Sequence, residues 1–240
     1  MSDQQGVILV QPHGPAETGL QEWETIDPSG LVSGEPVQRG HLYHEIGDTG
    51  YLAGVWDCTA MTGQMEPYPD DELMILLEGT LVMGLPDGTE INLKAGDAFI
   101  IPKGFTCQWK QPGYIRKIFM ILSEPVDESA SNPSLERITV PDMTAGSLAT
   151  DAIESTDIQF INSTSHMVVS TRNLPATSKP LHPASRNDLT HVLSGVVTME
   201  VDGETKRFGP GETFYVYKGT PITWKTDAGT RLLQTSYLGG

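Results

Sequence analysis

The chain has 240 residues, enough for one large domain or for two domains of about 100–120 residues each. Its formal net charge of −16 disfavours nucleic acid and anionic membranes as partners, because both bind basic surfaces. No apolar run approaches the roughly 20 residues of a membrane-spanning helix, and the N-terminus lacks the features of a signal peptide. Cys58 and Cys107 are too few for a disulfide framework, so a cytoplasmic location is expected.

The N-terminal segment, residues 1–45, is rich in Gly, Pro and Glu. Its apolar run at residues 7–10 predicts a short edge strand, and the remainder predicts an arm around the first domain or a partner subunit. A further apolar run at residues 52–58 predicts the strand that leads into the first domain, which we assign to residues 46–124.

Two short apolar runs, residues 73–77 and Ala98–Ile101, are each bounded by turn residues. Runs of this length predict buried strands, since helices need longer periodic stretches. Between them, Asp87-Gly88 predicts a hairpin turn because glycine accepts the positive φ that tight turns require. The long run at residues 114–122 predicts the strand that closes the first domain.

A polar stretch rich in Pro and Ser, residues 125–150, predicts a linker with a short edge strand at residues 137–140. The second domain is expected to occupy residues 151–240. Its first strand is predicted at residues 166–170 and its last at residues 231–237.

The central stretch of the first domain occurs again in the second. Gly79 matches Gly195 with an offset of 116 residues, and Asp87-Gly88 matches Asp202-Gly203 with an offset of 115. The matches continue through three further pairs: Gly96 with Gly211, Lys103-Gly104 with Lys218-Gly219, and Trp109 with Trp224. Agreement of this length between turn residues indicates duplication of one all-β domain.

The repeated motifs resemble the cupin superfamily, whose fold is a small jelly-roll β-barrel. The resemblance implies two tandem cupin barrels, a bicupin. The first domain resembles the branch typified by ureidoglycine aminohydrolase and ethanolamine-utilisation proteins. The residues that carry this resemblance are Gly54-Val-Trp56, Tyr68-Pro-Asp-Asp-Glu72, Leu77-Glu-Gly79, Gly96-Asp97, Ile101-Pro-Lys-Gly104-Phe105, Trp109 and Arg116-Lys117.

The resemblance also implies positions for metal ligands, because cupin enzymes usually hold a divalent metal through three His and one Glu. In the first barrel Glu72 matches the carboxylate, while Glu66, Tyr68 and Cys107 stand at the histidine positions. Three hypotheses stay open: a metal site for Mn, Fe, Ni or Zn, a metal-free ligand or catalytic pocket, and a barrel without a function. The missing histidines favour a protein without a metal cofactor.

The expected ligand is a small polar organic acid or amide, by resemblance to the aminohydrolase branch. Glu72 is the candidate acid/base, and Tyr68 and Glu66 are the candidates for orienting the substrate. Further candidate substrate contacts are Trp109, Cys107, Lys117, Met74 and Trp56. An aminohydrolase-like, isomerase or lyase reaction is one hypothesis, and a non-catalytic binding or regulatory bicupin is the other. A homodimer is also expected.

In the second barrel the corresponding candidates are His182, Asp188 and Trp224. Ala184 and Ile222 stand at the other two histidine positions, so few ligands remain for a metal. His191 lies an odd number of residues from Asp188, and strand alternation therefore predicts that it faces away from the barrel interior.

Overall fold

The computed structural model describes residues 6–144 and 153–239. Within these ranges the chain is built of β-strands and three short 3₁₀ helices, Pro28–Gly30, Gly47–Thr49 and Pro133–Glu136. None of the helices in the described ranges is long and apolar enough to cross a membrane. The all-β prediction is confirmed. The predicted boundary between linker and second domain, near residue 150, lies outside the described residues.

Twelve strands precede residue 123 in the described part of the chain. They are β1 (Val7–Leu9), β2 (Gln21–Glu22), β3 (Leu31–Ser33), β4 (Gln38–Ile46), β5 (Tyr51–Cys58), β6 (Met61–Pro67), β7 (Asp71–Glu78), β8 (Thr80–Gly84), β9 (Glu90–Lys94), β10 (Ala98–Ile101), β11 (Thr106–Gln111) and β12 (Ile115–Leu122).

Nine strands follow in the described C-terminal half. They are β13 (Ser155–Ile161), β14 (Met167–Leu174), β15 (Thr177–Pro183), β16 (Asn187–Ser194), β17 (Val197–Val201), β18 (Glu204–Phe208), β19 (Thr213–Val216), β20 (Pro221–Thr226) and β21 (Thr230–Tyr237).

The first barrel comprises Gln11–Asp142 together with Asn162–Thr164. One of its antiparallel sheets has the order β10-β7-β12-β5-β4-β2, and the other has the order β3-β6-β11-β8-β9. Apolar side chains of both sheets, such as Met74 of β7 and Met83 of β8, belong to one buried cluster. That cluster surrounds the candidate site.

Of the described residues, the second barrel comprises 6–10, 143–144, 153–161 and 165–239. Its sheets have the orders β1-β19-β16-β21-β14-β13 and β15-β20-β17-β18. The run β19-β16-β21-β14-β13 corresponds strand for strand to β10-β7-β12-β5-β4, and β15-β20-β17-β18 corresponds to β6-β11-β8-β9. The chain therefore contains two tandem cupin barrels, and the duplication read from the sequence is confirmed.

Most predicted strands of the first domain agree with the structure. Residues 73–77 fall within β7, residues 52–58 within β5, and Ala98–Ile101 is β10. The predicted hairpin turn is present: Gly88 has a φ of +83°, and the Leu85 N–H donates to the Thr89 carbonyl over 2.9 Å.

Other segments differ from the sequence-based expectation. The segment expected as an arm contributes β2, β3 and most of β4 to the first barrel, and β4 pairs with β5. β1 is an edge strand as predicted, but its partner is β19 of the second barrel. Residues 137–140 form only an isolated bridge from Thr139 to Ile100. In the second barrel β13 precedes the strand that was predicted first.

Candidate functional site

Neighbouring strands of the first barrel bring a carboxylate and an amine together in the apolar interior. Glu72 lies on β7 and Lys117 on the adjacent β12. Strand alternation places Met74 on the same face of β7 as Glu72, and Phe119 on the same face of β12 as Lys117. Glu72 and Lys117 are 2% and 7% exposed, so both charged groups are removed from water.

The two charges compensate each other. The Lys117 Nζ lies 2.8 Å from Glu72 Oε1. It also donates to the Met74 sulfur over 3.1 Å. The ammonium lies 4.8 Å from the ring centre of Trp56 and 5.1 Å from that of Trp109. Aromatic faces attract a cation, and this attraction grows when the cation is desolvated. The ammonium is therefore held between one carboxylate and two indole rings.

Tyr68, in the connection between β6 and β7, is the third polar residue at this site. Its hydroxyl donates to Glu72 Oε2, the carboxylate oxygen that does not contact Lys117. Burial, followed by the negative charge of Glu72, raises the pKa of Tyr68 well above its usual value of 10. The phenol therefore keeps its proton at neutral pH. Tyr68 as a whole residue is partly buried, whereas Glu72 is buried.

Two glutamines that the sequence analysis missed hold the indole rings. The Trp56 N–H donates to Gln38 Oε1 over 2.8 Å, and the Trp109 N–H donates to Gln111 Oε1 over 3.0 Å. Gln111 shares its strand face with Trp109, so alternation along β11 could have identified it. Gln38 falls in the segment expected as an arm, where no local signal points to a barrel residue.

Cys107 and Glu66 lie opposite each other on β11 and β6. Cys107 is buried, and burial raises the pKa of its thiol to about 11, so the thiol stays protonated at neutral pH. The Glu66 side chain is exposed. The structure thus brings Glu72, Tyr68, Lys117, Met74, Trp56 and Trp109 into contact, whereas Glu66 lies on the exposed part of β6.

The donor set of the first barrel does not fit a divalent metal ion. Both oxygens of Glu72 already accept hydrogen bonds, one from Lys117 and one from Tyr68. The ammonium occupies the place beside the carboxylate where a cation would sit. Across residues 6–144 and 153–239, no group of three or more His, Cys, Asp or Glu is arranged to hold a metal. Of the predicted set Glu66, Tyr68, Glu72 and Cys107, Tyr68 and Glu72 are bonded to each other, whereas Glu66 is exposed.

In the second barrel, His182, Asp188 and Trp224 line one cavity of about 230 Å³. Asp188 accepts from Ser236 Oγ over 2.5 Å and lies 3.2 Å from the Arg186 Nε. Burial raises the pKa of Asp188, and the neighbouring Arg186 opposes that rise. His182 is exposed at the cavity rim. Arg186 was not among the residues predicted from sequence.

Solved structures share this fold. A protein of unknown function from Pseudomonas syringae pv. tomato str. DC3000 is 17% identical with a TM-score of 0.69, over 97% of this chain and 100% of that one. Protein Ylba from E. coli is 8% identical with a TM-score of 0.57, over 96% and 90% of the two chains. A cupin 2 conserved barrel domain protein from Leptotrichia buccalis is 12% identical with a TM-score of 0.59, over 90% and 97%. Identities this low show a shared fold alone.

The family match covers both barrels. No curated protein matches the chain. The EutQ-like cupin domain, in contrast, matches residues 48–119, which contain Glu72 and Lys117, and residues 183–231, which contain Asp188. Together the two segments make up about half of the chain. The finer resemblance to ureidoglycine aminohydrolase stays a prediction. The protein belongs to the family of EutQ-like cupin domains.

Proposed function

We propose that the first barrel binds a small polar carboxylate or amide and transfers a proton on it without a metal. The observation that carries this proposal is the pair of contacts at Glu72, whose two oxygens accept from Lys117 and from Tyr68. Aminohydrolase, isomerase and lyase reactions of such metabolites share a proton-transfer step. A positioned acid–base pair typically accelerates that step by about 10²–10⁴-fold.

Each residue has a role in the proposal that follows from its position. Tyr68 is proposed as the group that meets the ligand, because the residue is partly exposed whereas Glu72 and Lys117 are buried. A proton that leaves the substrate passes to the Tyr68 oxygen while the phenol proton passes to Glu72. Lys117 balances the charge of Glu72 in the resting site. Trp109 presents a partly exposed ring to the ligand, and Glu66 receives a donor group such as an amide from the exposed side.

The first test is a screen for turnover by protein that has been treated with a chelator. The probes are small carboxylic acids and their amides in D₂O, followed by NMR for exchange of carbon-bound hydrogen and for release of ammonia. Tyr68→Phe is expected to lower the rate by about 10²-fold or more, since it removes only the hydroxyl that carries the proton. Tyr43→Phe, which removes a hydroxyl bonded to the Gln11 main chain, is the matched control and is expected to keep the rate.

Two results would overturn the proposal. The first is turnover that Tyr68→Phe leaves unchanged. The second is about one equivalent of Mn, Fe, Ni or Zn in protein purified without chelator or affinity nickel, lost in Glu72→Ala, because a metal held by Glu72 excludes the Lys117 contact. If no probe is turned over but one binds, and Tyr68→Phe weakens that binding, the first barrel is a non-catalytic binding site, which is the alternative function.

The proposal also includes a cytoplasmic homodimer with no nucleic-acid or membrane partner. The net charge of −16 supports the absence of such partners, because polyanions and anionic lipids repel an acidic surface. Analytical ultracentrifugation measures the oligomeric state directly, and a monomeric mass would remove the dimer from the proposal.

A further inference from the structure

The cavity of the second barrel has a size and a location that suit a small molecule. Its volume is about 230 Å³, below the roughly 300–1,000 Å³ of pockets that enclose drug-sized ligands. It lies wholly within the second barrel, between side chains of β15, β16, β19, β20 and β21. An occupant is therefore limited to a small metabolite.

Space for the cavity arises where the second barrel lacks a side chain that the first barrel has. Ala184 stands at the position of Tyr68, because the two residues have the same main-chain partners in their barrels. The main-chain N–H of Tyr68 donates to the Phe105 carbonyl over 2.9 Å, and the Tyr68 carbonyl accepts from the Gly104 N–H over 2.8 Å. In the second barrel the N–H of Ala184 donates to the Thr220 carbonyl over 2.8 Å, and the Ala184 carbonyl accepts from the Gly219 N–H over 2.7 Å. Ala184 lines the cavity. A phenol at this position would project into it.

The cavity wall is rich in cations although the chain is acidic overall. Lys179 and Arg186 both line the cavity, and the whole chain has only 15 Lys and Arg against 31 Asp and Glu. Asp188 meets the guanidinium of Arg186 at its Nε. A guanidinium has five N–H donors in a planar fork, so Asp188 does not exhaust its capacity. The geometry of this fork matches a carboxylate or a phosphate, each of which can accept two parallel N–H groups.

The rest of the cavity lining includes apolar side chains and one amide that is held in a fixed orientation. Trp224 and Ile222 present apolar surface to the cavity. Gln234 also lines it, and both ends of its amide are bonded: Oε1 accepts from Arg172 over 3.2 Å, and Nε2 donates to Thr190 over 3.2 Å. Such a wall, apolar with one positioned amide, is typical of sites that bind small organic ligands.

We propose that the second barrel is a separate binding site for a small organic carboxylate. The carboxylate pairs with Arg186 and Lys179, and the carbon skeleton packs against Trp224 and Ile222. Asp188 accepts a hydrogen bond from a hydroxyl or amino group of the same ligand. This site does not depend on the Glu72 site of the first barrel.

Isothermal titration tests the proposal with four acids, lactate, malonate, succinate and benzoate, and with their four uncharged amides. At least one acid is expected to bind saturably, and its amide at least about tenfold more weakly, because the amide cannot form the charged pair. Arg186→Gln is expected to weaken the acid by about tenfold or more. Arg207→Gln, an exposed arginine of β18 outside the cavity, is the matched control and is expected to bind as the wild type does.

Two further variants test whether the acid binds in this cavity and whether its binding depends on the first barrel. Ala184→Tyr is expected to abolish binding by filling the cavity with the side chain that the first barrel has at this position. All titrations are repeated in the Glu72→Gln/Lys117→Met background, which removes the proposed first-barrel set, so that binding in this background reports the second barrel alone. In this background the proposal is overturned if no acid binds at up to about 10 mM, if amides bind as tightly as acids, or if adding Arg186→Gln and adding Arg207→Gln have the same effect. The comparison of the two arginine variants decides the matter even if Ala184→Tyr does not fold.

Discussion

Lys117 and Trp56 stand directly opposite each other across β12 and β5, and the Lys117 ammonium lies 4.8 Å from the centre of the Trp56 ring. In the second barrel the corresponding opposed residues are Leu232 and Arg172. In the first barrel the cation lies on β12 and the apolar side chain on β5. In the second barrel the apolar side chain lies on β21, which corresponds to β12, and the cation lies on β14, which corresponds to β5. Only the first barrel has a lysine on this central strand, where it balances Glu72.

Removing the amine of Lys117 is expected to destabilise the first barrel strongly. In Lys117→Met the unbranched stem is kept, but Glu72 loses its charge partner in a buried site. Breaking a buried ion pair in this way typically costs about 3–5 kcal/mol. Glu72→Gln/Lys117→Met removes both charges and is expected to recover most of that loss, to within about 1–2 kcal/mol of the wild type. Urea unfolding of the wild type, Glu72→Gln, Lys117→Met and the double variant measures the cycle.

The control for this cycle is Lys110→Met. Lys110 pairs with Glu90 at 2.7 Å, but both side chains are exposed to solvent. Exposed pairs contribute only about 0–1 kcal/mol, so the control is expected to be nearly neutral. If Lys117→Met lowers the free energy of unfolding by no more than Lys110→Met does, Lys117 does not compensate the buried charge of Glu72, and the result contradicts the structure.

Both thiols are expected to be unreactive in the folded protein. Burial raises the pKa of Cys107 and of Cys58 to about 11, and for Cys58 the negative charge of Asp57 adds to the effect. At pH 8 only about one thiol in a thousand is then ionised, and the thiolate is the reactive form. Ellman's reagent is therefore expected to label both residues in urea but neither within minutes in buffer. Rapid labelling of one equivalent in the folded protein would restore Cys107 as a candidate nucleophile.

The fold could be predicted because its signals are local. Turn residues such as Asp87-Gly88 and the paired Gly79 and Gly195 fix where strands end, and their recurrence reveals the duplication. Pairing between distant strands has no such signal. β1 is three residues long, and nothing in it specifies β19, more than 200 residues away, as its partner.

The candidate site was predicted only in part, for reasons that depend on packing. The face of Lys117 could not be determined because β12 is mostly buried on both faces, so alternation of apolar residues does not distinguish inside from outside. The cavity could not be predicted from Ala184, because a small residue creates space only where its neighbours do not fill it. Glu72 and Asp188, in contrast, were identified by carrying the carboxylate position of the cupin pattern over to the residues that precede Gly79 and Gly195 by seven.

The stability of the second barrel is expected to depend on pH through His191, and the burial of its ring determines the direction of that dependence. The side chain is partly buried on β16, and its Nδ1 lies 2.8 Å from Thr213 Oγ1. Burial lowers the pKa of His191 from 6.5 to about 4, because the charged ring loses hydration. The unfolded chain takes up the proton near the ordinary pKa, so the contribution of His191 to stability is present above that value. It is lost as the pH falls toward the folded pKa.

The variant His191→Gln isolates this contribution, since glutamine can keep a hydrogen bond to Thr213 but does not titrate. Between pH 7 and about pH 5, the wild type is expected to lose about 2 kcal/mol more stability than the variant, from the separation of the two pKa values. Urea unfolding at both pH values measures the difference. His182→Gln replaces an exposed histidine and is expected to follow the wild type at both pH values. Parallel losses in the wild type and His191→Gln would mean that the buried ring is protonated in the folded barrel, against the environment that the structure gives it.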